Sequence, residues 1–163
     1  MVVSDAPVVT AEDLVGLVGD LWRSVSPDPD AADAPVPAQW HPLGTRLLRS
    51  TIAIEGSWDG DLVVACAPGA AERWTRAMLA LEPDEPVGEV DALDVLAEVV
   101  NVVGGAVKAH CAAGGQLGLP HVGVDEDQGP PTGGALVAGL AMTWPDAALD
   151  DPDAVFTLAL VHR

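Results

Sequence analysis

Apolar residues recur along this chain at two periods, and the periods separate helices from strands. Leu14, Leu17, Val18, Leu21, Trp22 and Val25 return at three- and four-residue intervals, the spacing that places side chains on one face of a helix. Thr10 and Asp13 have the form of a capping box before this run, with Asp where Glu or Gln is usual, and Pro27 stops it. Trp74, Ala77, Met78 and Leu81 form a second stripe on a helix opened by Pro68 and Gly69. Glu72 and Arg76 make an i,i+4 pair on its outer side. The longest helical run covers residues 91–111. Leu93, Leu96, Val100, Val103, Ala106 and Val107 fall on one side of it, and Asp91, Asp94, Glu98, Asn101, Gly105 and Lys108 on the other.

Alternation marks the strands. Residues 46–55 and 61–67 predict a pair joined by a turn at Ser57, Trp58, Asp59 and Gly60, where Asp-Gly signals a hairpin. Residues 116–124 predict a short strand. Residues 136–144 place Leu136, Ala138, Leu140, Met142 and Trp144 on one face, and residues 154–162 group Phe156, Leu158 and Leu160. Residues 129–134, GPPTGG, read as the loop before the second of these three strands. The order is helix, strand, strand, helix, helix, then three strands. It predicts an α+β fold with helices packed on a mainly antiparallel sheet. One domain, residues 1–163, is expected. Within it, residues 26–42 read as an acidic, proline-rich loop whose end Trp40 could pin to the body.

Composition narrows the function. The formal charge is −18, from 25 acids against seven bases, and Lys108 is the single lysine. Nucleic acid and anionic membrane are poor partners for such a surface. The most apolar window is interrupted by Glu98 and Asn101, and the first residues have neither a basic region nor a long apolar core. The expectation is a cytoplasmic protein without a membrane span or signal peptide. Cys66 and Cys111 sit in apolar runs and read as buried thiols. His110, Cys111 and His121 lack metal-ligand spacing, so no metal site is expected. No nucleophile elbow, P-loop or dinucleotide fingerprint is present.

The polar side of the run at 91–111 differs from an ordinary solvated face. Asp94, Glu98, Asn101 and Gly105 follow one another at steps of four, three and four, which keeps them neighbours on one stripe. Asn and two successive glycines, Gly104 and Gly105, are poor helix formers, so a reason beyond propensity is needed for them. The pattern resembles the signature of the CheC/CheX chemotaxis phosphatases, in which Asp or Ser is followed by Glu and Asn on an exposed helix, with a proline downstream. Pro120 is the candidate proline here, closer to Asn101 than the family usually has it.

The resemblance implies a helix-on-sheet fold and hydrolysis of the aspartyl-phosphate of a CheY-like response-regulator receiver. It implies that Asn101 positions the attacking water and that Glu98 pairs with the receiver's lysine. Asp94 would orient the N-terminal end of the contact, Gly105 would admit the partner backbone, and Val95 and Val102 would add apolar contact. No cofactor is expected on this chain, since Mg²⁺ belongs to the partner receiver domain. Homodimers pairing through sheet edges are also implied, with residues 154–162 as a candidate edge. The alternative is a CheX-like module that docks a receiver or joins an assembly without hydrolysis. Glu12, Val15 and Gly19 repeat the spacing of Glu98, Asn101 and Gly105 on the first helix. Chance accounts for this echo equally well, and Val15 in place of the amide would leave such a site dead.

Overall fold

The computed structural model describes residues 9–28, 33–39, 46–112, 114–125, 134–148 and 151–163. Three helices, α1 (Ala11–Val25), α2 (Pro68–Leu79) and α3 (Glu89–Cys111), pack against one seven-stranded sheet. The strands are β1 (Val36–Ala38), β2 (Leu47–Glu55), β3 (Gly60–Cys66), β4 (Gln116–Leu117), β5 (His121–Asp125), β6 (Ala135–Thr143) and β7 (Phe156–His162). Their order is β1-β6-β7-β3-β2, and both β4 and β5 then pair with β2. Every pairing is antiparallel. This is the α+β architecture expected from the sequence.

The helix starts follow the predicted chemistry. Thr10 caps α1 with a full capping box: Asp13 N–H donates to Thr10 Oγ1 at 3.2 Å, and Thr10 N–H donates to Asp13 Oδ2 at 2.8 Å. Pro68 stands in the first turn of α2, where a missing N–H costs nothing. Glu72 and Arg76 pair at 2.9 Å along its outer side.

One main core lies between the helices and one sheet face. Leu48, Ile52, Ile54, Leu62, Val64, Leu158 and Leu160 line the sheet side, and Leu14, Val18, Trp74, Leu96, Val100 and Val103 the helix side. Trp22, Trp74, Trp144 and Phe156 close one end of it in ring contacts, Trp22 and Trp74 edge to face at 5.1 Å and Trp144 and Phe156 tilted at 5.2 Å. Alternate residues of the strands face the other way. There Leu47, Ala65, Ala141 and Val155 form a second, smaller cluster.

Several expectations need correction. Val36, Pro37 and Ala38 form a short edge strand inside the segment expected to be a loop. Pro37 can sit there because an edge strand leaves half its N–H groups unpaired. Residues 116–124 are two strands rather than one, broken around Pro120. In β6 the register slips between Leu136 and Ala138, so the alternation fails and Leu136 is exposed. The final strand is not an edge. β7 lies between β6 and β3, and the outer strands are β1 on one side and β4 with β5 on the other. Trp40 and most of the GPPTGG loop lie outside the described residues.

Candidate functional site

The candidate site is the outer side of α3. Its inner side is set by Ala92, Val95, Leu96, Val99, Val100, Val103, Gly104 and Val107, all buried. That places the centre of the buried arc slightly away from the one expected: Leu93 and Ala106 are only partly buried, while Val95 and Val99 are in the core. Gly104 explains how the helix comes so near the sheet. A Cβ built there would stand 2.8 Å from Ile52 Cγ2 and 3.4 Å from Leu117 Cδ1. The glycine therefore lets the middle of α3 rest directly on β2 and β4.

Opposite this contact, Asp94 and Glu98 are exposed and Asn101 is half-buried. Among the described residues, none of these three side chains makes a hydrogen bond or ion pair. Gly105 completes the stripe with open space, since a Cβ there would meet nothing within 4 Å. The stripe thus presents two carboxylates, one free carboxamide and a bare stretch of backbone on a 23-residue helix. A carboxamide held this way can accept a hydrogen bond from a water while donating to an anion.

The remaining assignments divide. Val102 is 41% exposed and can meet a partner. Val95 cannot: it is 4% exposed and belongs to the main core, because its helix position turns it toward the sheet. Lys108 Nζ donates to the Gly115 carbonyl at 3.3 Å and ties the helix end to the turn before β4. Pro120 is half-buried in the link between β4 and β5.

Three features escaped the sequence reading. Val90, four residues before Asp94, extends the stripe with an apolar residue that is 71% exposed. Val122 and Val124 on β5 lie opposite Ser50 and Leu48 and so share the sheet face that carries α3; they are 41% and 40% exposed. Their alternation in HVGV was visible, but nothing in the sequence said that the strand lay at the rim. On α1, Glu12 is exposed, whereas Val15 packs against the core and Gly19 is buried. The echo on that helix brings no second amide to the surface.

No cluster of three or more His, Cys, Asp or Glu positioned to hold a metal exists among the described residues. His110 Nδ1 is bonded to the Ala106 carbonyl and Cys111 Sγ to that of Val107. Neither described cysteine is in a disulfide, and both are buried. No helix among the described residues is long and apolar enough to cross a membrane.

A family model described as chemotaxis phosphatase CheX matches residues 49–129, about half of the chain, from β2 through the whole of α3 and past β5. Solved structures share the fold at low identity. A chemotaxis protein CheX from Desulfovibrio desulfuricans superposes with a TM-score of 0.62 at 17% identity, covering 94% of this chain and 98% of that one. The CheX-CheY-BeF3-Mg²⁺ complex from Borrelia burgdorferi gives 0.58 at 13% identity, covering 96% and 99%. FliY from Thermotoga maritima gives 0.58 at 9%, covering 91% and 84%. No curated protein sequence matches significantly.

Proposed function

Since the chain belongs to the CheC/CheX family of chemotaxis phosphatases, we propose that it hydrolyses the aspartyl-phosphate of a CheY-like receiver through Glu98 and Asn101. The observation that carries this reading is the free carboxamide of Asn101 one turn from the free carboxylate of Glu98, beside the open backbone at Gly105. A CheX relative of the same fold has been solved in complex with CheY and Mg²⁺, which supports a receiver as the partner and Mg²⁺ on the receiver's side.

An acyl phosphate is already activated, and phosphoryl transfer depends mostly on positioning and charge stabilisation. The receiver supplies its own Mg²⁺ and lysine. The chain supplies a water. Asn101 Oδ1 accepts a hydrogen bond from that water and its Nδ2 faces the phosphoryl oxygens. The water oxygen bonds to phosphorus as the bond from phosphorus to the aspartyl oxygen breaks. Inorganic phosphate leaves with the excess proton passing to solvent, and the aspartate carboxylate is restored. Glu98 pairs with the receiver's lysine and fixes the register of the helix over the acyl phosphate. Asp94 and Val102 contact the receiver on either side, and Gly105 admits its backbone. Such a reaction belongs in the cytoplasm, with the receivers.

The test is loss of phosphate from a panel of phosphorylated receivers, with wild type and Asn101→Ala compared. Wild type should shorten the lifetime of one receiver, and Asn101→Ala should remove most of that gain, about a hundredfold, as expected for a positioned catalytic group, while still binding. A receiver that binds with its phosphate lifetime unchanged would instead establish a docking module.

We assign the homodimer contact to the β5 edge. β7 is interior, and β1 carries a proline, whereas β5 is an outer strand among the described residues and carries two half-exposed valines. Val122→Lys with Val124→Lys should leave a monomer in sedimentation; an unchanged dimer would rule this edge out.

A further inference from the structure

Away from α3, the C-terminal ends of α1 and α2 and the turn after α2 enclose an open cavity of about 570 Å³. Ligand pockets commonly fall in the range of about 300–1,000 Å³. Its walls are largely apolar, formed by Trp22, Val25, Ala77 and Leu81 among others, and two guanidinium groups, Arg73 and Arg76, line it together with Glu82. In a chain with seven bases against 25 acids, two arginines in one apolar hollow are a local departure from the general charge.

Both arginines are held in place. Arg73 Nη2 pairs with Asp146 Oδ1 at 2.8 Å, and its guanidinium lies 4.8 Å from the centre of the Trp144 ring and 6.0 Å from that of Trp22. Arg76 donates from Nε and Nη2 to Glu72 Oε1 at 3.1 and 2.9 Å, and from Nη1 to the Glu82 carbonyl at 2.9 Å. They remain 30% and 27% exposed. A guanidinium has more N–H donors than these bonds use. Two acids pair with them, Asp146 with Arg73 and Glu72 with Arg76, and together with the Glu82 carbonyl they fix the two groups before any ligand arrives.

We infer that this cavity binds a small amphipathic organic anion, its ring system against Val25, Ala77 and Leu81 and its carboxylate or sulfonate held by Arg73 and Arg76. The site lies on other elements than the α3 stripe and stands whether or not the chain is a phosphatase. Pockets of this kind combine an apolar wall with a few fixed polar groups that orient the ligand, and fork-shaped arginine donors match a planar carboxylate.

The experiment is calorimetric titration of the full chain with 1-naphthaleneacetate and with its uncharged analogue 1-naphthaleneacetamide. The acetate should bind at a single site at least about tenfold more tightly than the amide, the change expected for one charge-assisted contact. Arg76→Gln should abolish that difference. Ala77→Trp, which fills the hollow, should remove binding of both, with circular dichroism confirming the fold. If Ala77→Trp fails to fold, Val25→Trp makes the same obstruction from α1. No saturable binding, equal binding of acid and amide, or binding that survives a folded filling variant would each overturn the inference.

Discussion

Gly104 and Gly105 are adjacent on α3 and answer to different constraints. Gly104 meets the sheet, and an added methyl would press on the branched side chain of Ile52. Gly105 faces open space. In an ordinary helix interior, Gly→Ala gains up to about 1 kcal/mol of propensity. Gly105→Ala should therefore stabilise the chain by up to that amount. Gly104→Ala should destabilise it, because overpacking a tight contact costs about 1–3 kcal/mol and outweighs the same gain. Urea unfolding of the two variants checks this, and equal shifts of one sign would contradict the assignment of faces. Gly105→Leu should leave the fold intact and weaken receiver binding at least about tenfold, one obstructed contact's worth. The two thiols make a second prediction at this scale. Burial pushes Cys66 well above its ordinary value, and burial raises Cys111 as well. Thiolate is the reactive form, so neither should react with a disulfide reagent near neutral pH until the chain is unfolded.

At the scale of the element, β2 is the platform on which the site rests. It pairs with β3, β4 and β5 and lies under Gly104 of α3. Ser50, in its middle, is fully buried and its hydroxyl has no partner among the described residues. An unpaired buried hydroxyl is a liability of about 1–3 kcal/mol. Ser50→Ala should accordingly raise or preserve stability in thermal unfolding; a clear loss would show that the hydroxyl has a partner in solution. The cap of α1 predicts a pH dependence. The backbone N–H of Thr10 and then its hydroxyl both donate to Asp13 and hold that carboxylate below its ordinary range. A lowered folded-state value means the contribution is present above the unfolded value and is lost as pH falls through the folded one. Asp13→Ala should thus lower stability more at about pH 7 than at about pH 2, since wild type itself takes up the proton as pH falls. Equal losses at both would deny the cap its charge.

The elements also show what a single sequence carries and what it hides. The three helices, the hairpin between β2 and β3 and the stripe from Asp94 to Gly105 were legible because period and spacing are local properties. Val95 was misplaced because a small rotation of the buried arc moves a flanking residue from rim to core, and that rotation is decided by the sheet at Gly104. The place of β7 was misjudged, although a clue was present: residues 156–161 read FTLALV with Thr157 the only polar residue, and a run without regular polar alternation suits a central strand covered on both sides. β1 was hidden because three residues around a proline carry no period. The bulge in β6 was equally hidden, since strict alternation in Leu136, Ala138 and Leu140 cannot reveal where pairing slips.

For the molecule as a whole, the excess of acid has a direction. Glu82, Asp84, Glu85, Glu89, Asp91, Asp94 and Glu98 lead along the chain into the stripe, and among their side chains Glu89 alone has a basic partner, Arg46, within the described residues. Two consequences follow from a net charge of −18. Self-repulsion opposes the compact state, and salt screens it, the Debye length falling from about 30 Å at 0.01 M to about 10 Å at 0.1 M. Thermal stability should therefore rise with sodium chloride over that interval. The same field acts on encounter. A receiver that presents its lysine and other bases to the stripe is drawn in, so its association rate should fall as salt rises, whereas dephosphorylation within the formed complex should change little, because the role proposed for Asn101 is exerted at contact distance. Stopped-flow binding and single-turnover phosphate release, measured across the same salt series, separate these two steps. If both rates fall together, the acidic surface contributes to the chemical step itself; if neither changes, the receiver approaches by a face on which these carboxylates have no influence.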